Sequence, residues 1–450
     1  MCIPRRHTPG KVMLSIMLEP IDRAVVARKS LAILPLAALS LVLASCTTAL
    51  NQSQAETTIV STPTAESSVK LSGPSTSTAP QTSSAAPQPT TSSARASETG
   101  TENTKNETTE NCPGEECIEV AVAGDILLHP ALWEQAKKDG NGSYDFVPQL
   151  TGIAPYLAQA DLSLCNLETP LAPKGGPYQG YPMFTVPQEI IPALKSVGYD
   201  GCTTASNHTM DAGVKGVLRT LEALKEADML STGSYASAAD AAKPLITEVG
   251  SAKVAVIAGT YGLNGMREDV SWRVDDKIDA ATLIKRAKAA RAAGAEIVMT
   301  AIHDGSEYTN RPTVGQKKLY RELAASGAFD FIYSHHTHSV LPIEKYKGTW
   351  IVYGLGNSVA KHATKTVLNR EGITVNMQFV RTKDGWEPGE LRWVPHTMTE
   401  APLRWCALPS NEGNCLSKQA DAASLKRTTD TVNAFGADKD GAEIWTLPQP

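Results

Sequence analysis

Residues able to hold a metal ion or move a proton recur along this chain at the ends of apolar, strand-like runs. Asp125 closes Ala121–Asp125, Glu168 follows Leu164–Leu167, Asn207 and His208 follow a third run, His303 closes Met299–His303, and His336 and His338 follow a fifth. A sheet delivers side chains from the ends of adjacent strands to one rim, where ligands distant in sequence converge. With His335 beside the last two, five of the nine histidines fall in these motifs. Alone, each residue has a plain reading: Asp125 as a helix cap, Glu168 as an exposed loop acid, His208 as a first-turn polar residue, His303 as a hydrogen-bonded core histidine. Together, carboxylate, amide oxygen and imidazole without thiolate suit Mn, Fe or Zn and point to metal-assisted hydrolysis.

The elements that must position these groups alternate. Short β-like runs are expected at Ile118–Ala123, Leu162–Cys165, Leu245–Val249, Val254–Ile257, Glu296–Ile302 and Phe329–Tyr333. Helical spacing covers Ile153–Gln159, Pro187–Ser196, Asp211–Asp228 with Asp211 as N-cap, Ala280–Ala293 and Gln316–Ser326. Strand and helix in turn make an α/β domain. The later runs Leu341–Tyr346, Trp350–Tyr353, Ile373–Arg381 and Leu391–Val394 have no helices between them, so they should add antiparallel strands and give mixed sheets. Gly124 should let the backbone turn tightly before Asp125.

Gly124-Asp125, Asn166-Leu167-Glu168-Thr169-Pro170-Leu171, Asn207-His208 with Asp211 and Gly213, His303 through Glu307-Tyr308, His335-His336-Thr337-His338, and Tyr353-Gly354-Leu355-Gly356-Asn357 occur in that order. In this the chain resembles the CapA family, poly-gamma-glutamate capsule synthesis proteins with a calcineurin-like metallophosphoesterase fold, from Val120 to about Ser358. The resemblance implies a four-layer α/β/β/α sandwich, two mixed sheets flanked by helices, over residues 112–400. It implies two divalent cations (Mn, Fe or Zn): one held by Asp125, Glu168 and His338, the other by Asn207, His303 and His336, with Glu168 bridging. His208 would be the catalytic proton donor, while Asn166, Asp211, Glu307, Tyr308 and Asn357 would orient ligands or substrate. The chain departs from the family at Ser206, where a second asparagine is common, and at Asp304, where Trp is common. Leu127 stands where ordinary metallophosphoesterases have the histidine of Asp-x-His, and His129 is a further candidate for that imidazole. The fold favours a phosphate ester as substrate, the capsule association a γ-glutamyl amide. Two readings stay open, a metal-dependent hydrolase in capsule or envelope-polymer biosynthesis and a non-catalytic assembly or polymer-binding factor with the same fold.

The flanks concern location. Arg28-Lys29, the apolar stretch Leu31–Leu43 and Leu43-Ala44-Ser45-Cys46 read as a secretory leader over 1–46, with Cys46 resembling a bacterial lipobox cysteine. Met13 or Met17 are alternative starts. A diacylated Cys46 would anchor the chain to the extracellular face of the membrane, two acyl chains giving stable attachment where one does not. Residues 47–111 are rich in Ser, Thr and Pro and nearly lack large apolar side chains, as expected of a disordered tether. Of 450 residues 42% are hydrophobic, and the net charge of −5 supplies no phosphate-tracking surface, so nucleic acid is not an expected partner. Membrane-bound capsule synthesis subunits are. Two local disulfides are expected, Cys112 with Cys117 and Cys406 with Cys415, with pairing across the two ends as the competing connectivity. Cys165 and Cys202 sit in apolar runs and read as buried thiols. Residues 401–450 read as a C-terminal appendage, disulfide-braced or loosely ordered.

Overall fold

A computed structural model describes residues 112–411 and 413–447. The leader, the tether and Cys46 lie outside them. Among the described residues, no helix is long and apolar enough to cross a membrane.

Two sheets form the centre. In the nine-stranded sheet the path runs β14 (Trp405–Ala407), β13 (Gly385–Met398), β12 (Glu371–Thr382), β1 (Glu116–Ile126), β2 (Leu162–Leu167), β3 (Gly201–Thr203), β4 (Leu230–Thr232). Off that path, β11 (Asn357–Val359) pairs with β1 and β15 (Ala442–Ile444) with β13. The six-stranded sheet runs β5 (Leu245–Val249), β6 (Ala252–Thr260), β7 (Ile297–His303), β8 (Phe331–His335), β10 (Thr349–Val352), β9 (Ile343–Tyr346). The strands β1 to β4, and likewise β6, β7, β8 and β10, are parallel, whereas β12 and β13 are antiparallel, as a helix-free stretch requires.

Side-chain alternation along β1 explains the layering. Ile118, Val120 and Val122 face inward, packing with Val254, Val256, Met299 and Phe331 of the second sheet. Ala121 and Ala123 face the other way, in the cluster that holds Leu132, Ile190 and Leu194 of helices Pro130–Asp139 and Ile190–Ser196. The second sheet buries its outer face, including Val298 and Ile332, under helices Ala280–Ala292 and Val314–Ala325. Strands buried on both faces read as continuous apolar runs, and the result is the expected four-layer α/β/β/α sandwich.

Several local readings change. Cys165 and Cys202 are bonded: β2 and β3 place them directly opposite, with Cα atoms 4.4 Å apart. Both expected local bridges, Cys112–Cys117 and Cys406–Cys415, are present. Asp211 is not a cap, because the helix begins at Gly213 and the Asp211 carboxylate is taken up by His208 and the Phe184 amide. The expected helix at Ile153–Gln159 is a 3-10 turn, Thr151–Ile153, followed by a single turn, Ala154–Leu157. The helix expected from Pro187 starts at Ile190. Gly124 serves close approach instead of a turn: a Cβ there would meet the Gly356 carbonyl oxygen at 2.0 Å, and the next amide, Asp125 N–H, donates to that oxygen at 3.1 Å. The described residues beyond 400 are built into the sandwich, since β14 and β15 both pair with β13 and Trp445 is fully buried.

Candidate metal centre

The C-terminal ends of parallel strands from both sheets meet at one rim. Asp125 on β1 lies beside Asn166 on β2 and Asn357 on β11, and in the second sheet His303 pairs with His335 across β7 and β8. His336 and His338 follow in a tight loop with φ of 80° and 50°, left-handed values that non-glycine residues adopt rarely and most often at functional sites.

Asp125 is wholly buried. Its Oδ1 accepts from Asn166 Nδ2 at 2.9 Å and lies 3.2 Å from His335 Nδ1, and its Oδ2 accepts from the His336 amide at 3.1 Å and lies 3.4 Å from His338 Nδ1. Burial alone would raise its pKa, but the His335 and His338 rings beside it outweigh that and hold it well below the usual carboxylate range. Glu168 is the opposite case. It is also wholly buried, neither carboxylate oxygen has a hydrogen-bond partner among the described residues, and burial pushes its pKa well above the ordinary value. Glu168 Oε1 lies 3.8 Å from both His303 Nε2 and His338 Nε2, so it stands between two imidazoles without bonding to either. Its backbone is fixed from behind, because Ser206 Oγ donates to its carbonyl at 2.6 Å; this is the work of the serine that stands where a second asparagine is common.

On the other side, Asn207 Oδ1 lies 2.8 Å from His303 Nε2, and Asn207 Nδ2 donates to Asn264 Oδ1 at 3.3 Å. The ring centres of His303 and His336 are 4.9 Å apart, and the buried His336 Nδ1 has no partner. Burial drives His303 well below the usual histidine range and His336 to about 3, keeping both neutral, the form in which imidazole binds metal. Burial also works against protonated His338, but Glu168 and Asp125 beside it prevail and raise it to about 9. Asn357 holds that ring: its Nδ2 donates to the Asn369 carbonyl at 2.9 Å, which turns Oδ1 toward His338 Nδ1 at 3.0 Å and leaves Nε2 facing Glu168.

Among the described residues, two sets of three each offer donor atoms within 4.8 Å of one another: Asp125, Glu168 and His338, and Glu307, His336 and His338. The first is the set that the family resemblance implied for one cation. For the other, Asn207, His303 and Glu168 converge, while His336 also faces Glu307. A buried carboxylate with two unpartnered oxygens, beside the neutral His303 imidazole, the His338 ring and the Asn207 amide oxygen, is a donor set that fits divalent metal.

His208 stands beside the ligands without joining them. Its Nδ1 lies 2.6 Å from Asp211 Oδ2, and Phe184 packs edge-on against the ring with centroids 4.9 Å apart. Glu307 reaches within 3.8 Å of His338 Nε2, and Tyr308 packs near that ring. Asn166, Asp211, Glu307, Tyr308 and Asn357 all border the cluster.

Other residues at the rim carried no assigned role in the sequence. His335 lies in the quoted histidine motif, and its contact with Asp125 follows only from the β7–β8 register. Tyr261 tilts over His336 with centroids 4.6 Å apart, and Asn264 holds Asn207. His362 packs 4.7 Å from His338 and 4.3 Å from His129, ring to ring, with its nitrogens near Tyr308 Oη (3.3 Å) and Asn357 Nδ2 (3.2 Å). His129 itself is turned back, its Nδ1 3.1 Å from the Leu127 carbonyl, and Leu127 is buried in the apolar cluster.

With strands, rim and ligand-type residues in place, the family is defined: the sequence profile of the bacterial capsule synthesis protein PGA_cap family matches residues 119–362, and the chain belongs to that family. Among its relatives, "Capsule biosynthesis protein CapA" of Bacillus anthracis is 28% identical over 255 residues, covering 54% of this chain and 60% of that one. "PGA biosynthesis protein CapA" of Bacillus subtilis is 27% identical over 300 residues, covering 64% and 75%. The match thus spans less than two thirds of the first relative's length. Among solved structures, the calcineurin-like phosphoesterase YfkN from Bacillus subtilis aligns with a TM-score of 0.42 and 13% identity, over 70% of this chain and 97% of that chain. The two-sheet architecture described above stands on its own strand pairing.

Proposed function

We propose that this protein is a lipid-anchored, extracellular hydrolase of the capsule synthesis family, working with two divalent cations on an anionic envelope polymer of the poly-γ-glutamate kind. The observation that carries the reading is Glu168, buried with both oxygens unpartnered and equidistant from His303 and His338. Asp125, Glu168 and His338 would hold one cation, and Glu168, Asn207, His303 and His336 the other. Bound there, such ions supply a hydroxide at neutral pH and neutralise charge at the attacked centre.

The remaining work falls to the chain's own groups. Asp211 accepts from His208 Nδ1 and so presents Nε2 outward, where it can hand a proton to the leaving atom. Asn357 keeps the His338 ring turned with Nε2 toward Glu168, and Asn264 fixes the Asn207 amide. The test is metal analysis of the purified full chain followed by a chromogenic phosphodiester assay with and without Mn. Stoichiometric divalent metal and Mn-dependent turnover are expected; protein that binds no divalent ion and turns over nothing sinks the reading.

A further inference from the structure

Two cavities adjoin on the face next to the rim. The first, about 330 Å³, is walled by His362, whose other neighbour is the His338 ring 4.7 Å away. The second, about 710 Å³, shares Arg370 and Glu400 with the first and continues past Arg404 to Asn414, Leu416 and Ala420. Through those two shared residues they adjoin as one track that starts beside His362.

Its lining has two characters. The first cavity has an apolar part, Ala360, Val367 and the buried Met398, and it carries cations at Lys361, Lys365 and Arg370. Neither lysine is in an ion pair among the described residues. Arg370 is paired with Glu400, whose side chain is 60% exposed, so the pair is weak and its carboxylate is replaceable by another. Arg404 is held firmly by both oxygens of Asp139 and serves as wall. Apolar floor with cationic rim suits a chain of methylene groups bearing carboxylates; a phosphate polymer would gain the cations but not the floor.

We infer that this track binds an extended, carboxylate-bearing aliphatic chain, with Lys361 and Lys365 holding carboxylates next to the metal centre and Arg370 exchanging Glu400 for one carried by the ligand. The inference rests on the reading that the site handles an anionic polymer, and it names where that polymer lies. It also gives the residues beyond Met398 that line the second cavity a part in binding.

The experiment is a fluorescence-anisotropy titration of a labelled γ-linked glutamate decamer onto the full chain in chelator, so that binding is read without turnover. Wild type should bind, more weakly at higher salt. Lys361→Ala/Lys365→Ala should weaken binding about tenfold, two exposed charge pairs' worth. Glu400→Gln should tighten it about threefold, because Arg370 is then unopposed; a misfolded variant would not do this. No binding by wild type, equal binding by the double lysine variant, looser binding by Glu400→Gln, or a preference for polyphosphate of equal length would each overturn the inference. Metal analysis of the protein before chelator is added judges the hydrolase reading separately.

Discussion

Asp211 Oδ2 sits 2.6 Å from Nδ1 of His208, three residues earlier, and at the same time accepts from the Phe184 amide at 2.7 Å. Fixed by a second donor, the carboxylate cannot swing away from the ring, so the ring in turn is held with Nε2 free. His208→Ala should therefore lower phosphodiester turnover about 10²–10⁴-fold, while bound metal stays unchanged. Asp211→Asn should fall between the two, since the ring loses its fixed acceptor but keeps its nitrogen. Steady-state assays with parallel metal analysis decide; metal lost with turnover kept refutes the assignment.

Glu168 gives a contrast between loaded and metal-free protein. Glu168→Gln should weaken metal binding by at least about tenfold and abolish the chelator-sensitive part of the melting temperature. In chelator at pH 8 the same variant should melt above wild type, because it removes a buried carboxyl whose ionised form burial opposes. A variant that melts below wild type in chelator would mean that the carboxylate has a partner in the protein.

The Cys165–Cys202 bond closes a loop between residues 37 apart, which by chain entropy is worth about 4 kcal/mol. Cys165→Ala/Cys202→Ala should lower the midpoint of denaturant unfolding accordingly. Both sulfurs are buried, so thiol labelling in mild reductant should reach Cys112 and Cys117 first and this pair only after unfolding.

His396 is fully buried under Trp405, and burial lowers its pKa to about 4. The unfolded chain takes up a proton near the ordinary value of 6.5 and the native protein does not. Its own contribution to stability is thus full above 6.5 and is lost as pH drops toward 4, by about 1.4 kcal/mol per unit. His396→Gln should flatten that limb in melts recorded from pH 7 to 4; an unchanged slope would show that another group carries it.

The rim was legible because its parts ride on periodic elements. An apolar run that stops on Asp125 or His303 announces both a strand and what stands at its end. What depended on register was not legible: nothing in the sequence says that Cys165 and Cys202 are opposite each other across β2 and β3, or that His335 touches Asp125. Asp211 looked like a cap because an acid before a helical run usually is one; a histidine three residues back outcompeted the helix amides. Tyr261, Asn264 and His362 come from loops with no period, so only the folded chain assigns them to the rim. The segment beyond 400 left two readings open by composition, and its sparse apolar residues, Trp405 and Trp445 among them, with the Cys406–Cys415 bridge favour the braced one seated on β13.

The first strand also sets a direction. The chain arrives at Cys117 and delivers Asp125 eight residues later at the opposite end, roughly 26 Å away at the rise of an extended strand. Along that one strand the domain keeps its point of chain entry and its ligand-bearing rim at opposite ends, so the described residues that lead into β1 do not crowd the rim.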